Sequence, residues 1–228
     1  MNTSPKIFVV IPAHNEATTI FFVVASVKRV IPNVIVVDDS SGDETATLAK
    51  QAGAEVLSHI INRGQGAALK TGIDYALLCG ADVIVTFDAD GQHKPEEILS
   101  MIEPVVRGEA DVALGSRFLN GNSNTIPFIR RLVLRGGILF TKIFSRIRVT
   151  DTHNGFRALS KKAAETIRIR QDRMAHASEI LDEIAYHGLK FREIPVTITY
   201  SAYSMQKGQS SLNSIKIALK FLLNKLIQ

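Results

Sequence analysis

The chain has 228 residues, 46% of them hydrophobic, which is enough apolar material for one globular domain with a buried core. Its single cysteine, Cys79, excludes an internal disulfide and favours a reducing, cytoplasmic environment. The short apolar stretch near the N-terminus is not typical of a signal peptide, and no run of about 18 apolar residues predicts a transmembrane helix.

The net charge of +5 is unevenly distributed along the chain. Between Asp111 and Asp151 there are seven basic residues and no acid, and after Glu193 there are four lysines and again no acid. Acid-free basic stretches of this kind predict an anionic partner at one face. Nucleic acid is disfavoured, because the phenylalanines of the first stretch stand among apolar residues. A phospholipid surface or a phosphorylated substrate remains.

The first half of the chain alternates strand-like and helix-like segments. Short apolar runs rich in valine and isoleucine predict four strands, at Ile7–Ile11, Val34–Val37, Glu55–Leu57 and Val83–Phe87. Helical spacing predicts a helix capped by Asn15 or Thr18 that runs to Lys28, and two more at Glu44–Gln51 and Gly66–Leu78. This alternation indicates an α/β fold with a mostly parallel sheet covered by helices on both faces.

The second half has a different texture. It predicts a basic, apolar helix from Pro127 to about Ile147, a helix within 172–188, a strand from Phe191 to Tyr200 interrupted at Pro195, and a helix over 211–227. We interpret residues 1–228 as one domain in which 121–150 and 211–228 are basic helical segments. These segments are expected to face a membrane or a partner protein; an ordinary solvated face over the core is the alternative.

Acidic residues follow three of the predicted strands: Glu16 after the first, Asp38-Asp39 after the second and Asp88-Ala89-Asp90 after the fourth. Because the carboxyl ends of parallel strands meet at one edge of a sheet, we expect these residues to share one crevice. Crowded carboxylates repel one another unless a cation is present. Asp and Gly also form turns, but the position after a buried strand favours a site for Mg²⁺ or Mn²⁺.

An ordered set of motifs resembles glycosyltransferase family 2: Val10–Glu16, Val36–Ser41, Asn62–Ala68 and Asp88–His93. Three more are similar to the polyprenyl-phosphate sugar transferases, the branch that contains dolichol-phosphate mannosyltransferases: Gly115–Arg117, Asp151–Arg157 and Ser178-Glu179. The resemblance spans residues 7–212. It implies the GT-A fold, with a Rossmann-like sheet, and an inverting transfer of a sugar from a nucleotide diphosphate sugar to a polyprenyl phosphate.

The resemblance also implies roles for particular residues. The implied metal ligands are Asp88, Asp90 and Gln92. The implied donor-binding residues are Pro12, Ala13, Glu16, Asp38, Asp39, Asn62, Gly66 and Ala89. Of these, Asn62 and Gly66 open a helix whose N-terminal N–H groups would favour a negative ligand. The residues expected to be essential for catalysis are Asp90, Arg117 and Glu179.

Arginine and lysine side chains are the expected phosphate contacts. Arg117 would grip a donor or acceptor phosphate with its planar guanidinium, and Arg131 is a second candidate. Lys207 stands where relatives usually have an arginine, so it keeps the positive charge but lacks the planar guanidinium that can bind a phosphate through two hydrogen bonds. Glu179 would contact sugar hydroxyls. We interpret the histidines near these motifs as ordinary hydrogen-bonding residues rather than ligands, namely His93, His153 and His176.

An acceptor phosphate is already ionised near neutral pH, so no general base is required. The expected partners are the donor, the lipid phosphate, a peripheral contact at the cytoplasmic membrane face, and a membrane protein or a second copy of the chain. One alternative is a polysaccharide or other glycan acceptor. Another is a nucleotide-sugar-binding module without turnover, which is disfavoured because no implied metal ligand is missing.

Overall fold

The computed structural model describes residues 4–119, 147–152 and 154–199. In this part of the chain seven strands form one sheet: β1 Ile7–Ala13, β2 Val34–Asp38, β3 Glu55–Ser58, β4 Val83–Thr86, β5 Val112–Ser116, β6 Arg157–Ser160 and β7 Phe191–Pro195. The helices around it are α1 Ile20–Lys28, α2 Thr45–Gln51, α3 Gln65–Leu78, α4 Ile98–Val106, α5 Lys161–Thr166 and α6 His176–Tyr186. A 3-10 turn, Pro95–Glu97, precedes α4.

The sheet has the strand order β3-β2-β1-β4-β6-β5-β7. Its first four strands are parallel, and so are β5 and β7, whereas β6 runs antiparallel to both β4 and β5. All strands except β6 therefore end at the same edge, where β6 begins. We call this edge the carboxyl edge. The predicted α/β class and mostly parallel sheet are confirmed.

The strands are buried on both faces because alternate side chains enter two separate apolar layers. Val9 and Ile11 of β1 pack with α1, α2 and α4, whereas Phe8 and Val10 pack with α3, α5 and α6. This explains why the strands appear in the sequence as continuous apolar runs instead of alternating patterns.

The first helix begins later than the sequence predicted. It starts at Ile20, and Thr19 precedes it without capping it through its side chain. Asn15 is in the left-handed region, with φ 54°, and its Oδ1 accepts a hydrogen bond from Gly42 N (2.8 Å). The predicted caps Asn15 and Thr18 are therefore wrong, because the residues after β1 form a loop that is bonded to the loop after β2.

The predicted helix within 172–188 is present as α6, and the last predicted strand ends at Pro195, where a backbone N–H is missing. Four elements were not predicted: α4, β5, β6 and α5. The helices predicted at 127–147 and 211–227 lie outside the described residues, apart from Ile147. Within the described residues, every helix is too short or too polar to cross a bilayer.

Asp111 ties the mixed half of the sheet together at the edge opposite the carboxyl edge. Its backbone N–H donates to Lys190 O (2.7 Å), and its carboxylate accepts from Lys190 N (2.9 Å) and Lys162 Nζ (3.1 Å). Its carbonyl accepts from Ser160 N (2.8 Å). Burial by itself raises the pKa of Asp111, but the hydrogen bonds from Lys190 and Lys162 outweigh it and lower that pKa.

We expect Asp111→Asn to reduce the free energy of unfolding at neutral pH by about 1.5–3 kcal/mol, the usual contribution of hydrogen bonds to a charged group. A lowered folded-state pKa stabilises the fold above the unfolded pKa of about 3.9, and this contribution disappears as the pH falls through the lower folded value. The difference between variant and wild type should therefore shrink in urea titrations at acid pH. The control is Asp74→Asn, whose exposed ion pair with Lys70 should contribute less than about 0.5 kcal/mol. Equal stability of Asp111→Asn and wild type at neutral pH would contradict the assignment.

Candidate functional site

The loops after β1 and β2 are joined by polar side chains at the carboxyl edge. Asn15 N donates to Ser41 Oγ (2.9 Å), and the Ser41 hydroxyl donates in turn to the Asp38 carboxylate. Pro12 and Ala13 are the last residues of β1 and lie beside Val37 and Asp38. Asp38 is buried, and its carboxylate accepts hydrogen bonds from the backbone N–H (3.3 Å) and the hydroxyl of Ser41. In the structure it braces this pair of loops.

Asp39 is enclosed by the loop between β3 and α3. One carboxylate oxygen accepts from Arg63 N (3.0 Å) and lies 2.7 Å from His59 Nδ1, while the other accepts from Gly64 N (2.6 Å). Asn62 Nδ2 donates to the backbone carbonyl of Asp39 (3.3 Å). Burial raises the pKa of Asp39, but the hydrogen bonds from Arg63, His59 and Gly64 to its carboxylate lower it overall, so the residue stays ionised. Only 4% of the Asp39 side chain is exposed, so its carboxylate holds the loop between β3 and α3 in place from the buried side.

The start of α3, where the sequence predicted N–H groups that favour a negative ligand, is closely packed by another segment of the chain. The helix begins at Gln65, and a Cβ on Gly66 would lie 2.0 Å from Gln171 O. Ala67 N donates to Asp172 O (3.1 Å), so segment 171–173 covers the first turn. Gly66 is needed here for close backbone packing, and its predicted contact with a donor stays a prediction. Its covering segment is more than 100 residues away in the chain, so the motif alone does not reveal it.

Asp88, just after β4, is held by two side chains. Gln65 Nε2 donates to Oδ1 (3.1 Å), and His93 Nε2 lies 3.1 Å from Oδ2. Burial raises the pKa of Asp88, but the hydrogen bond from His93 and the nearby charge of Arg157 lower it below its ordinary value. The side chain keeps 27% of its surface exposed, so this ionised carboxylate is recessed but reachable.

Two buried basic side chains lie behind Asp88. Burial lowers the pKa of Arg157 to about 10, with Asp88 and Asp151 opposing the shift, so the guanidinium is charged at neutral pH. Burial lowers the pKa of His176 to about 4, although a hydrogen bond to Arg173 O (2.8 Å) opposes it, so this imidazole is neutral. The hydrogen bonds of His93 and His176 agree with their interpretation as hydrogen-bonding residues. The sequence did not reveal that the charge of Arg157 lies close to Asp88, because the motif shows only that Arg157 follows Gly155 and Phe156 in the chain.

Asp90 lies in a more repulsive environment than Asp88. Burial raises its pKa to about 6, and the charges of Asp88 and Glu16 add to the rise, while a hydrogen bond from Gln92 N (3.0 Å) opposes it. Thr19 links Glu16 to this motif: its hydroxyl donates to Ala89 O (2.8 Å) and lies 3.3 Å from Glu16 Oε2. The expectation that acidic residues from the first and fourth strand ends share one crevice is confirmed for this group.

A divalent cation fits this group of residues. Asp88 and Asp90 supply two carboxylates, the hard oxygen ligands that Mg²⁺ and Mn²⁺ prefer, and a cation relieves the repulsion between them. Within 4–119, 147–152 and 154–199, no cluster of three or more His, Cys, Asp or Glu side chains is arranged to hold a metal. A cation here would therefore complete its shell with diphosphate oxygens and water. Direct ligation by the Gln92 side chain stays a prediction.

Arg117, the expected phosphate grip, has an acidic partner. Its Nε donates to Asp151 Oδ2 (2.6 Å) and its Nη2 to Asp151 Oδ1 (3.3 Å). Glu193 supports this pair by accepting hydrogen bonds from Thr150 N (2.7 Å) and Asp151 N (3.3 Å). The Arg117 side chain is 11% exposed, and its guanidinium is oriented and partly neutralised by Asp151. Its contact with a phosphate stays a prediction.

Glu179 lies in the first turn of α6. Its Oε2 accepts hydrogen bonds from Arg170 N (3.0 Å) and Gln171 N (2.9 Å), and burial raises its pKa despite them. The visible role of Glu179 is to hold the segment that covers α3, and contact with sugar hydroxyls stays a prediction. The remaining predicted residues, Arg131, Lys207 and His153, lie outside the described residues.

The raised pKa of Asp90 predicts pH-dependent metal binding. Below about pH 6 a cation must displace the proton of Asp90, so Mn²⁺ affinity should fall about tenfold per pH unit there and level off above it. The electron paramagnetic resonance signal of free Mn²⁺, followed between about pH 5 and 8, measures this. Asp90→Asn should bind weakly at every pH. A wild-type affinity that does not change over this range would contradict the assignment.

Comparison with known proteins agrees with the fold and the motifs. The family described as Glycosyl transferase family 2 matches residues 8–168. An uncharacterized protein of Methanocaldococcus jannaschii is 39% identical, covering 97% of this chain and 93% of that protein. The UDP-N-acetylglucosamine–dolichyl-phosphate N-acetylglucosaminyltransferase of Methanococcus voltae is 32% identical, covering 96% of both chains.

Among solved structures, glucosyl-3-phosphoglycerate synthase from Mycobacterium tuberculosis, in complex with Mn²⁺, uridine-diphosphate-glucose and phosphoglyceric acid, has a TM-score of 0.71. It is 20% identical and covers 95% of this chain and 79% of its own, a likeness that bears on the fold alone. The predicted GT-A fold is confirmed. The chain belongs to glycosyltransferase family 2.

Proposed function

We propose that this protein transfers a sugar, with inversion, from a nucleotide diphosphate sugar to a polyprenyl phosphate, using Mg²⁺ or Mn²⁺ at Asp88 and Asp90. The observation that carries the proposal is the convergence of Glu16, Asp88 and Asp90 at the carboxyl edge of the sheet. Such a group suits the diphosphate of a donor bound through a cation. The name of the M. voltae relative supports a lipid phosphate as the acceptor, since that enzyme's name includes dolichyl phosphate.

The chain's own residues would divide the work. Asp88 and Asp90 would hold the cation, which supplies positive charge to the departing nucleoside diphosphate. Pro12, Ala13 and the loop braced by Asp39 would line the nucleoside. Arg117 would bind a phosphate with its guanidinium kept in orientation by Asp151, because a planar fork grips phosphate best when its plane is fixed. The acceptor phosphate is already ionised, so no proton has to be removed from it.

We propose that the protein works at the cytoplasmic face of a membrane, where its lipid acceptor is found. Within the described residues, the loop after β3 supports this: Ile60 is 97% exposed and Ile61 is 68% exposed. This loop lies at the carboxyl edge, beside Asp39, and Ser40 Oγ donates to Ile60 O (3.3 Å). Two exposed isoleucines next to the site would insert into the interfacial region. Contact with a membrane protein or a second copy through 121–150 and 211–228 stays a prediction.

The transfer reaction is tested with a panel of nucleotide sugars, polyprenyl phosphate and Mg²⁺ or Mn²⁺, with products identified by mass spectrometry. We expect a glycosyl polyprenyl phosphate from one donor, and no product from Asp90→Ala, whose fold should be intact because Asp90 lies in a half-buried turn outside the strands and helices. Asp74→Ala, on the exposed face of α3, is the matched control and should be fully active. Undiminished turnover by Asp90→Ala would refute the metal-dependent mechanism, and transfer to a glycan but not to the lipid would replace the proposed acceptor.

The membrane contact is tested by liposome flotation with vesicles of phosphatidylcholine and phosphatidylglycerol. Replacing Ile60 and Ile61 together by serine should reduce the bound fraction at least about tenfold, since burying an isoleucine contributes about 1.5–3 kcal/mol. Leu78→Ser is the control: Leu78 is 86% exposed but lies at the end of α3, at the opposite edge of the sheet. Flotation that is unchanged in the double variant would remove this loop from the membrane contact.

A further inference from the structure

The Asp88 carboxylate is surrounded on three sides by residues that have no role in the proposed reaction. Gln65 Nε2 donates to one oxygen and His93 Nε2 lies 3.1 Å from the other. On the third side, a Cβ on Gly155 would lie 2.7 Å from both oxygens. Gly155 is itself fixed, because its carbonyl accepts a hydrogen bond from Thr86 Oγ1 (2.5 Å).

The hydrogen bond between His93 and Asp88 determines which imidazole nitrogen carries a proton. An ionised carboxylate has only acceptor oxygens, so Nε2 of His93 must be the donor. The ring packs at a tilt against Phe87 and Phe156, with centroid distances of 5.5 and 5.0 Å, and the residue is 6% exposed. Nδ1 is buried and has no hydrogen-bond partner in the described residues. In the part of the chain that the structure describes, the one polar contact of this ring is therefore directed at Asp88.

The two aspartates of the motif differ in how they are held. A carboxylate has about four lone-pair sites, and the two side-chain donors occupy one on each oxygen of Asp88. The rotation of the carboxylate is thereby fixed, and one lone-pair site on each oxygen remains for a cation. The hydrogen bond to Asp90 comes from the backbone of its own turn, at Gln92 N (3.0 Å).

We infer that Gln65, His93 and Gly155 form a cradle that fixes the Asp88 carboxylate before the cation binds, with Gln65 and His93 acting as positioning residues. The inference rests on the proposed metal site. Donors that orient a metal ligand usually change metal affinity 10- to 100-fold when they are removed. The competing explanation is that His93 is a core aromatic residue whose nitrogen merely happens to face a carboxylate.

Two substitutions at His93 separate these explanations, because they have opposite effects. His93→Phe keeps the aromatic packing with Phe87 and Phe156 but has no donor. His93→Gln loses the ring but can place an amide N–H where Nε2 was. If the cradle orients Asp88, Mn²⁺ affinity should fall about 10- to 100-fold in His93→Phe and be largely kept in His93→Gln. If the ring matters only for packing, the order of the two variants is reversed and the inference is overturned.

Gln65→Met removes the other donor to Asp88. Because Gln65 is half-buried at the start of α3, we expect the fold to tolerate this change. It should weaken Mn²⁺ binding about tenfold or more. Gly155→Ala should weaken binding as well, because the added methyl group displaces the carboxylate. In an Asp88→Ala background His93→Phe should have no further effect, since the group that His93 orients is gone. A full additional loss in that background would contradict the cradle.

The affinity is measured from the electron paramagnetic resonance signal of free Mn²⁺ in the presence of UDP or GDP, whichever gives tighter binding to the wild type. Thermal melting without metal shows which variants are folded, and Gln65→Met decides the question should both His93 variants unfold. With an active donor, the Mn²⁺ concentration for half-maximal rate should rise while the rate at saturating Mn²⁺ recovers. A wild type that binds no Mn²⁺ refutes the proposed metal site, whereas normal binding by both His93→Phe and Gln65→Met refutes the cradle alone.

Discussion

The site depends on an excess of negative charge that the fold gathers at one edge of its sheet. Strands β1 and β4 end side by side and bring Glu16, Asp88 and Asp90 together. Partly buried carboxylates this close are unfavourable unless they are paired or neutralised. The two aspartates have different environments. Hydrogen-bond donors and the nearby charge of Arg157 lower the pKa of Asp88, whereas burial raises the pKa of Asp90 to about 6. In the proposed site, Asp88 is oriented to bind a cation, and a bound cation would relieve the repulsion that raises the pKa of Asp90.

The antiparallel strand β6 makes this inequality possible. In a wholly parallel sheet the first residue of a neighbouring strand would lie at the far edge. Because β6 runs against β4, its first residue, Arg157, is paired with Thr86, the last residue of β4. The same reversal places Gly155 against the Asp88 carboxylate. The buried guanidinium of Arg157 and the backbone of Gly155 therefore both lie at the end of β4, which carries the acidic motif.

Much of the fold and part of the site could be predicted from the sequence, and the division has a physical basis. Strands β1, β2 and β4 are apolar runs buried on both faces, so their identity and common edge follow from local pattern. Strand β6 contains a charged residue and is defined by its neighbours rather than by its own composition. The acidic motifs could likewise be located, but not their partners: the donors to Asp39 and Asp88 and the cover over Gly66 come from distant segments.

The segment over Gly66, residues 171–173, links Glu179 to the acidic site through the backbone. Glu179 accepts hydrogen bonds from the N–H groups of residues 170 and 171, and segment 171–173 then lies on Gly66, where only a glycine leaves room for it. This contact fixes the first turn of α3, which begins at Gln65, and the Gln65 amide reaches Asp88. A carboxylate in the first turn of α6 thereby helps to set the orientation of a carboxylate after β4. An effect of Glu179 on transfer therefore does not require contact with the sugar, because the same residue supports one of the donors that hold Asp88.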